Sequence, residues 1–245
     1  MKVKILSTFI FILFIALWQV ACSLRLISPI LLPSPIDVGK YLFSSLLDGT
    51  LLYALVITLK RLIVGYGLGL LLGIGLGLLL RSSELAKGTL GKLALGLQTL
   101  PSVCWAPLAL LWFGQTEMAM YFVVIMGSMW GIALSTESAI LSVPPIYIQA
   151  ARVMGSKGFH TWRTIIFPAA LPQLTNGARI GWAFAWRSLM AAEIYVTIVS
   201  RCGLGQLLHF GRELHAMDQA IGIMIVIVIV GFFTDKFIFS RKAKI

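Results

Sequence analysis

The chain has 245 residues, of which 59% are hydrophobic and 12% charged, with a formal net charge of +11. Soluble domains are about 45–50% apolar and about 25% charged, so a water-soluble fold would leave much of this apolar surface against water; lipid is the expected solvent, and the length suits one membrane domain of several helices. The basic residues fall in short clusters between apolar runs, which charge asymmetry across a membrane and anionic lipid head groups explain; no basic face with interleaved aromatics supports nucleic-acid binding.

Met1 to Cys22 carries Lys2 and Lys4, an apolar stretch and then Val20-Ala21-Cys22-Ser23, the outline of a signal peptide, even a lipoprotein one. The uncharged run Ile5 to Leu24 is longer than a usual signal core, and Gln19 stands where a lipoprotein signal has leucine, so the expectation is an uncleaved first membrane helix. A polar connection with Pro29, Pro33, Pro35, Asp37 and Asp48 reads as an external loop followed by a short helix. Lys60 and Arg61 then precede a second span, Leu62 to Leu80, and are expected to snorkel to the interface.

A spanning helix needs about 20 mostly apolar residues. Further stretches near that length are Leu93 to Phe113, Met118 to Leu141, Ile180 to Val199 and Gln219 to Phe239, making six spans with the first two. With the N-terminus inside, internal segments hold Lys2, Lys4, Arg81, Lys87, Lys92, Arg152, Lys157, Arg163, Arg179, Lys236, Arg241, Lys242 and Lys244; external segments hold Arg25, Lys40, Lys60, Arg61, Arg201 and Arg212. That excess predicts an N-in, C-in topology. The longest internal loop, Ser142 to Ala178, has helical apolar spacing broken at Gly155 and Gly158 and reads as two short helices with a turn.

Gly65, Gly69, Gly73 and Gly77 recur every fourth residue of the second span, which puts them on one face and admits another backbone closely, whether of a neighbouring span or of a partner subunit. Pro101 and Pro107 interrupt the third span; they make either a fixed kink or a broken helix lining a path. Arg187 lies within the fifth span with Glu193 six residues on, a spacing that does not place them on one face. Intramembrane charge is costly and tends to be functional. Arg187 is read either as a grip for an anionic substrate or as a structural partner of Glu137, Glu193 or another chain; Glu193 is read as a gate or a helix contact.

Cys22, Cys104 and Cys202 are far apart, and neither they nor His160, His209 and His215 have metal-ligand spacing, so no metal site is expected. His209 and His215 read as part of a solvated external loop with Arg212 and Glu213. No phosphate-binding GxxxxGK[ST] loop is present, so ATP cannot bind here in the usual P-loop manner.

The internal loop reads Gln149-Ala150-Ala151-Arg152-Val153-Met154-Gly155-Ser156-Lys157, then Ile165-Ile166-Phe167-Pro168-Ala169-Ala170-Leu171-Pro172. It resembles the EAA loop of bacterial ABC importer permeases, with Gln149 in place of the glutamate that names the loop. Leu100-Pro101-Ser102-Val103-Cys104-Trp105-Ala106-Pro107-Leu108 with Trp112-Phe113-Gly114, and Gly177-Ala178-Arg179, Trp186, Ala191-Ala192-Glu193 and Gly203-Leu204-Gly205, look like permeases for nitrate, sulfonate, taurine and bicarbonate. The likeness covers roughly Leu52 to Phe239.

The resemblance implies an all-α integral membrane protein with the type I ABC importer permease fold: a first helix and external loop over 1–50, a permease core over 51–239 with its coupling loop near 142–178, and a basic cytoplasmic tail over 240–245. It implies a coupling helix that docks into a cleft on an ATP-binding subunit. Ala150, Ala151 and Gly155 would allow close approach, Lys157, Phe159 and His160 would be the contact tip, and Pro168 would close the motif. It further implies two ATP-binding subunits carrying ATP and Mg, a periplasmic or lipid-anchored substrate-binding protein, a second permease copy, and a bacterial inner-membrane location. The chain itself is then no enzyme, and its cargo is a small oxyanion. A secondary transporter or channel is the main rival; it would need coupling-ion carboxylates, which are scarce.

Overall fold

The computed structural model describes residues 2–24, 28, 31–198 and 201–239. Arg25, Pro29 and the tail 240–245 with Arg241, Lys242 and Lys244 lie outside the described residues. In chain order the helices are α1 (Lys2–Ser23), α2 (Pro35–Leu47), α3 (Thr50–Ser82), α4 (Glu84–Ala86), α5 (Lys92–Thr99), α6 (Ala106–Phe113), α7 (Glu117–Leu141), α8 (Pro145–Val153), α9 (Gly158–Thr161), α10 (Phe167–Tyr195), α11 (Leu204–Glu213) and α12 (Met217–Phe239). Turns of π-helix at Lys87–Gly91 and Trp162–Ile166 join α4 to α5 and α9 to α10, and a 3₁₀ turn at Ser102–Trp105 leads into α6. Among the described residues all regular structure is helical.

By length and composition α3, α7 and the Met217–Asp235 part of α12 can cross a membrane, and the bent pair Glu84–Thr99 and Ser102–Phe113 makes up to a fourth span. The sequence led to six. The first helix offers a shorter apolar stretch, Ile12–Ser23. The tenth, 29 residues long, is diluted by Gln173, Asn176, Arg179, Arg187 and Glu193.

Three boundaries differ from expectation for identifiable reasons. The third stretch is not one helix, because its halves meet at 103°. Pro101 lacks an N–H and holds Leu100 extended at φ −68°, ψ 126°, while Pro107 sits in the first turn of α6, where a missing donor costs nothing. The helix of the expected fifth span, α10, begins at Phe167 rather than near Ile180, so the second half of the internal loop runs into it instead of forming a separate short helix. The π-turn directly before Pro168 is the kind of local adjustment by which a membrane helix carries proline. Finally α3 begins at Thr50, which places Lys60 and Arg61 well inside it instead of ahead of it.

The chain falls into two compact units, Met1–Thr58 with Val199–Val230, and Leu59–Ile198 with Gly231–Ile245. In the first, Ser34 caps α2: its hydroxyl accepts from Asp37 N and donates to the Asp37 carboxylate at 2.7 Å. The Trp18 indole donates to Pro33 O at 3.1 Å, and Leu204 N donates to the buried Thr58 hydroxyl at 2.8 Å. His209, Arg212 and Glu213, expected in a solvated loop, belong to α11, whose buried face is Leu204, Gly205, Gln206, Leu207 and Gly211. At its exposed end the Arg212 guanidinium hydrogen-bonds Glu213 at 2.8 Å and holds that carboxyl below its ordinary range.

The second unit is organised on α7. In lipid no hydrophobic drive pulls apolar helices together, so close van der Waals packing must do it. A Cβ added at Gly65 would lie 2.8 Å from Val124 Cγ1, and at Gly73 2.8 Å from Ile132 Cβ; at Gly77 it would lie 2.6 Å from Ala133 O, and at Gly69 it would strike Ser128 Oγ. The glycine face of α3 is therefore seated on α7. Gly67 and Gly75 face away, with nothing within 4 Å. The tenth helix packs on α7 by the same device, with Gly177 against Ser135 and Gly181 against Ile132. The Tyr66 hydroxyl donates to Ala178 O at 2.9 Å, its ring stands edge-on to Trp182 at 5.0 Å, and Arg179 clasps Asp235 of α12 through two hydrogen bonds of 3.0 and 2.6 Å.

Candidate functional site

The loop between α7 and α10 owes its shape to local backbone chemistry. Pro144 and Pro145 start α8, proline being suited to a first helical turn. It ends in a Schellman motif: Ser156 N donates to Ala151 O at 2.9 Å, and Gly155 N to Arg152 O at 3.0 Å. That closure puts Gly155 at φ +85°, a conformation suited to glycine, and Gly158 follows at φ +54°. The Ser156 and Thr161 hydroxyls meet at 2.8 Å and tie the turn to α9.

The result is a bent helical wedge with three exposed apolar side chains near its tip. Val153, Met154 and Phe159 are 89%, 78% and 78% exposed. Gln149, Ala150, Lys157 and His160 are exposed too, whereas Ala151 is fully buried, its methyl turned inward. Pro168 is exposed in the first turn of α10. A Cβ on Gly155 would meet nothing within 4 Å in this chain, so the turn, not crowding, fixes that glycine.

A polar cleft of about 420 Å³ opens among α5, α7 and α10, with Gln98, Ser135, Ser138, Gln173 and Asn176 in its lining. Its amides and hydroxyls carry no formal charge. On α10 the cleft residues Gln173, Asn176 and Ile180 continue through Phe184 to Arg187 at steps of three or four, so they share one face over about 21 Å. The exposed Arg187 donates from Nε to Ala183 O at 3.1 Å and lies 4.8 Å over the Phe184 ring. It forms no ion pair with Glu137 or Glu193. Glu137 instead meets Lys87 at 3.6 Å.

Glu193 is fully buried and accepts from Arg61 Nη1 at 2.9 Å; Glu117 approaches the same guanidinium at 3.7 Å. Arg61 is 1% exposed, so its guanidinium does not snorkel into solvent as expected. The missed signal was the apolar run Leu51 to Leu59 ahead of it, long enough to begin the helix early. Pro101 and Pro107 are both exposed at the bend. The bend packs near α7, where a Cβ on Gly127 would lie 3.2 Å from Ser102 Cβ. The cleft residues were also missed; paired polar groups three apart within apolar stretches, Ser135 with Ser138 and Gln173 with Asn176, were the available sign.

Comparison with known proteins agrees with this architecture. The chain is 31% identical over 226 residues to a putative ABC transporter permease of Methanocaldococcus jannaschii, covering 91% of this chain and 84% of that protein. It is 29% identical over 231 residues to the putative aliphatic sulfonates transport permease SsuC of Bacillus subtilis, covering 94% and 83%. A solved chain of the methionine ABC transporter MetNI, in an inward-facing conformation, shares the fold with a TM-score of 0.64 at 21% identity, over 76% of this chain and 90% of that one. Residues 65–241 match the family described as the binding-protein-dependent transport system inner membrane component. With a wedge-shaped loop, a glycine-packed helical body and this match over most of its length, the chain belongs to that family and is an ABC importer permease.

Proposed function

We propose that the wedge formed by α8, the Gly155 turn and α9 is the surface through which an ATP-binding subunit drives this permease, and that the α10 face bearing Arg187 lines its half of a path for a small oxyanion. One observation carries the first part: Val153, Met154 and Phe159 stand exposed on a backbone held by its own hydrogen bonds. Apolar side chains so placed match a cleft on another protein better than water. In this reading α1, the bent pair and α10 complete six spans with both termini inside the cell, the loop over 142–178 is cytoplasmic, and the core runs from 51 to 239. Two ATP-binding subunits hold ATP and Mg, a binding protein delivers the cargo, and a second copy of the chain completes the path in a bacterial inner membrane.

The oxyanion reading is supported by the sulfonate relative and by Arg187, a guanidinium with no carboxylate on it among the described residues, set on the same helix face as uncharged amides. Neutral donors with one cation suit passage of an anion without retention.

The test is uptake and ATP hydrolysis in proteoliposomes holding the permease, its ATP-binding subunits and binding protein. Phe159→Ala with Met154→Ala should abolish co-purification of the ATP-binding subunits and reduce uptake at least about tenfold. Arg187→Gln should reduce anion uptake while ATP hydrolysis stays responsive to the binding protein. Uptake that proceeds in liposomes without any ATP-binding subunit would overturn the reading in favour of a secondary transporter.

A further inference from the structure

We propose that an anionic phospholipid occupies the slot between α3, α7 and the first turns of α10, with one acyl chain inside it and its phosphate on Arg81. The proposal rests on the membrane placement of the chain and not on the identity of the cargo or of the coupling surface. The slot is about 220 Å³ and is walled by Leu70, Ile74, Ile132, Ala170, Leu171 and Leu174. Two hydroxyls reach it, and both are tied to their own helices: Thr136 donates to Ile132 O at 2.7 Å and Thr175 to Pro172 O at 2.7 Å. No hydroxyl proton is left over to hold water, so the slot favours hydrocarbon.

Leu78, Ile140, Trp162 and Ile166 also line a second cavity of about 570 Å³, so the two adjoin. That second cavity ends at Arg81 and Ser82, in the last turn of α3. Arg81 is exposed and has no carboxylate against it among the described residues, whereas Arg61, Arg179 and Arg212 are each paired with one. An apolar slot that ends in a cation, with a tryptophan at the change from one to the other, has the profile of a phospholipid crossing the boundary between hydrocarbon and head groups. An apolar helix of a second copy could enter the slot but supplies no charge of its own to Arg81, whereas an anionic head group does, so charge complementarity favours the lipid. Ile148 and Phe159 of the wedge and Trp162 of the π-turn line the lower cavity, so the lipid would join the wedge to α3.

The experiment is native mass spectrometry of the full chain in detergent, with phosphatidylglycerol and phosphatidylcholine of identical acyl chains as probes. Wild type should retain phosphatidylglycerol about fivefold better, the order contributed by one basic side chain near an anionic head group. Arg81→Gln, an exposed change that leaves the fold intact, should bring the two lipids level. Thr175→Phe should narrow the slot and lower retention of both. Equal retention of both lipids by wild type, or a preference that survives Arg81→Gln, overturns the proposal. So does an intermolecular crosslink from Leu171→Cys to a second copy that excludes added lipid.

Discussion

Arg61 and Glu193, 132 residues apart in the chain, meet at 2.9 Å with no more than 1% of either side chain exposed. One comes from α3 and the other from the end of α10, and Glu117 at the start of α7 adds a second carboxylate to the same guanidinium. Three helices are thus pinned at one end by charge and along their length by glycine contacts.

Removing one member of a buried pair strands the other in low dielectric, at a cost of about 3–5 kcal/mol, whereas replacing both by apolar groups of similar volume is often neutral. Arg61→Met and Glu193→Gln should each lower the thermal transition of the detergent-solubilised chain, and Arg61→Met combined with Glu193→Leu should recover much of the loss. Equal losses in the double and single variants would show that the pair acts through something other than stranded charge.

The Arg179–Asp235 clasp has the shortest single hydrogen bond of the two pairs, 2.6 Å, but a guanidinium that is half exposed. Exposure and side-chain entropy leave such pairs little net worth, so Asp235→Asn should barely move the same thermal transition. Distance alone would rank the two pairs the other way.

On α3 the two sets of glycines should answer differently to bulk. Gly73→Leu drives a side chain into Ile132 and should destabilise by about 1–3 kcal/mol, seen as loss of a monodisperse peak on gel filtration. Gly75→Leu points into open space and should leave that peak intact.

At the wedge, Gly155→Asn and Gly155→Val separate conformation from contact. A left-handed backbone costs an ordinary residue about 1–2 kcal/mol, asparagine less, and a β-branched one more. Limited proteolysis should therefore cut the valine variant in this loop well before the asparagine variant. Equal cutting would mean that the positive φ at Gly155 is not what shapes the turn.

Much of this was legible from spacing. The four-residue glycine period implied a close helix contact, though nothing in it named α7 as the partner. The loop's two-helix form followed from apolar periodicity and Gly155, but the run of α9 into α10 did not, because Pro168 and Pro172 look like breaks when backbone adjustment is ignored. Arg61 was misplaced because a charge near an apolar run is assigned to the nearest interface; only tertiary structure brings Glu193 to it. The polar cleft draws on α5, α7 and α10, and no local pattern unites Gln98 with Asn176.

The π-turn at Trp162–Ile166 holds one residue more than an α-helical turn would over the same rise. Closing that surplus would wind the wedge by about 100° around the axis of α10 and shift it about 1.5 Å along it. The orientation of the wedge about α10 is therefore set by a single residue of register, and deleting one residue from Trp162–Ile166 would turn it by that same step.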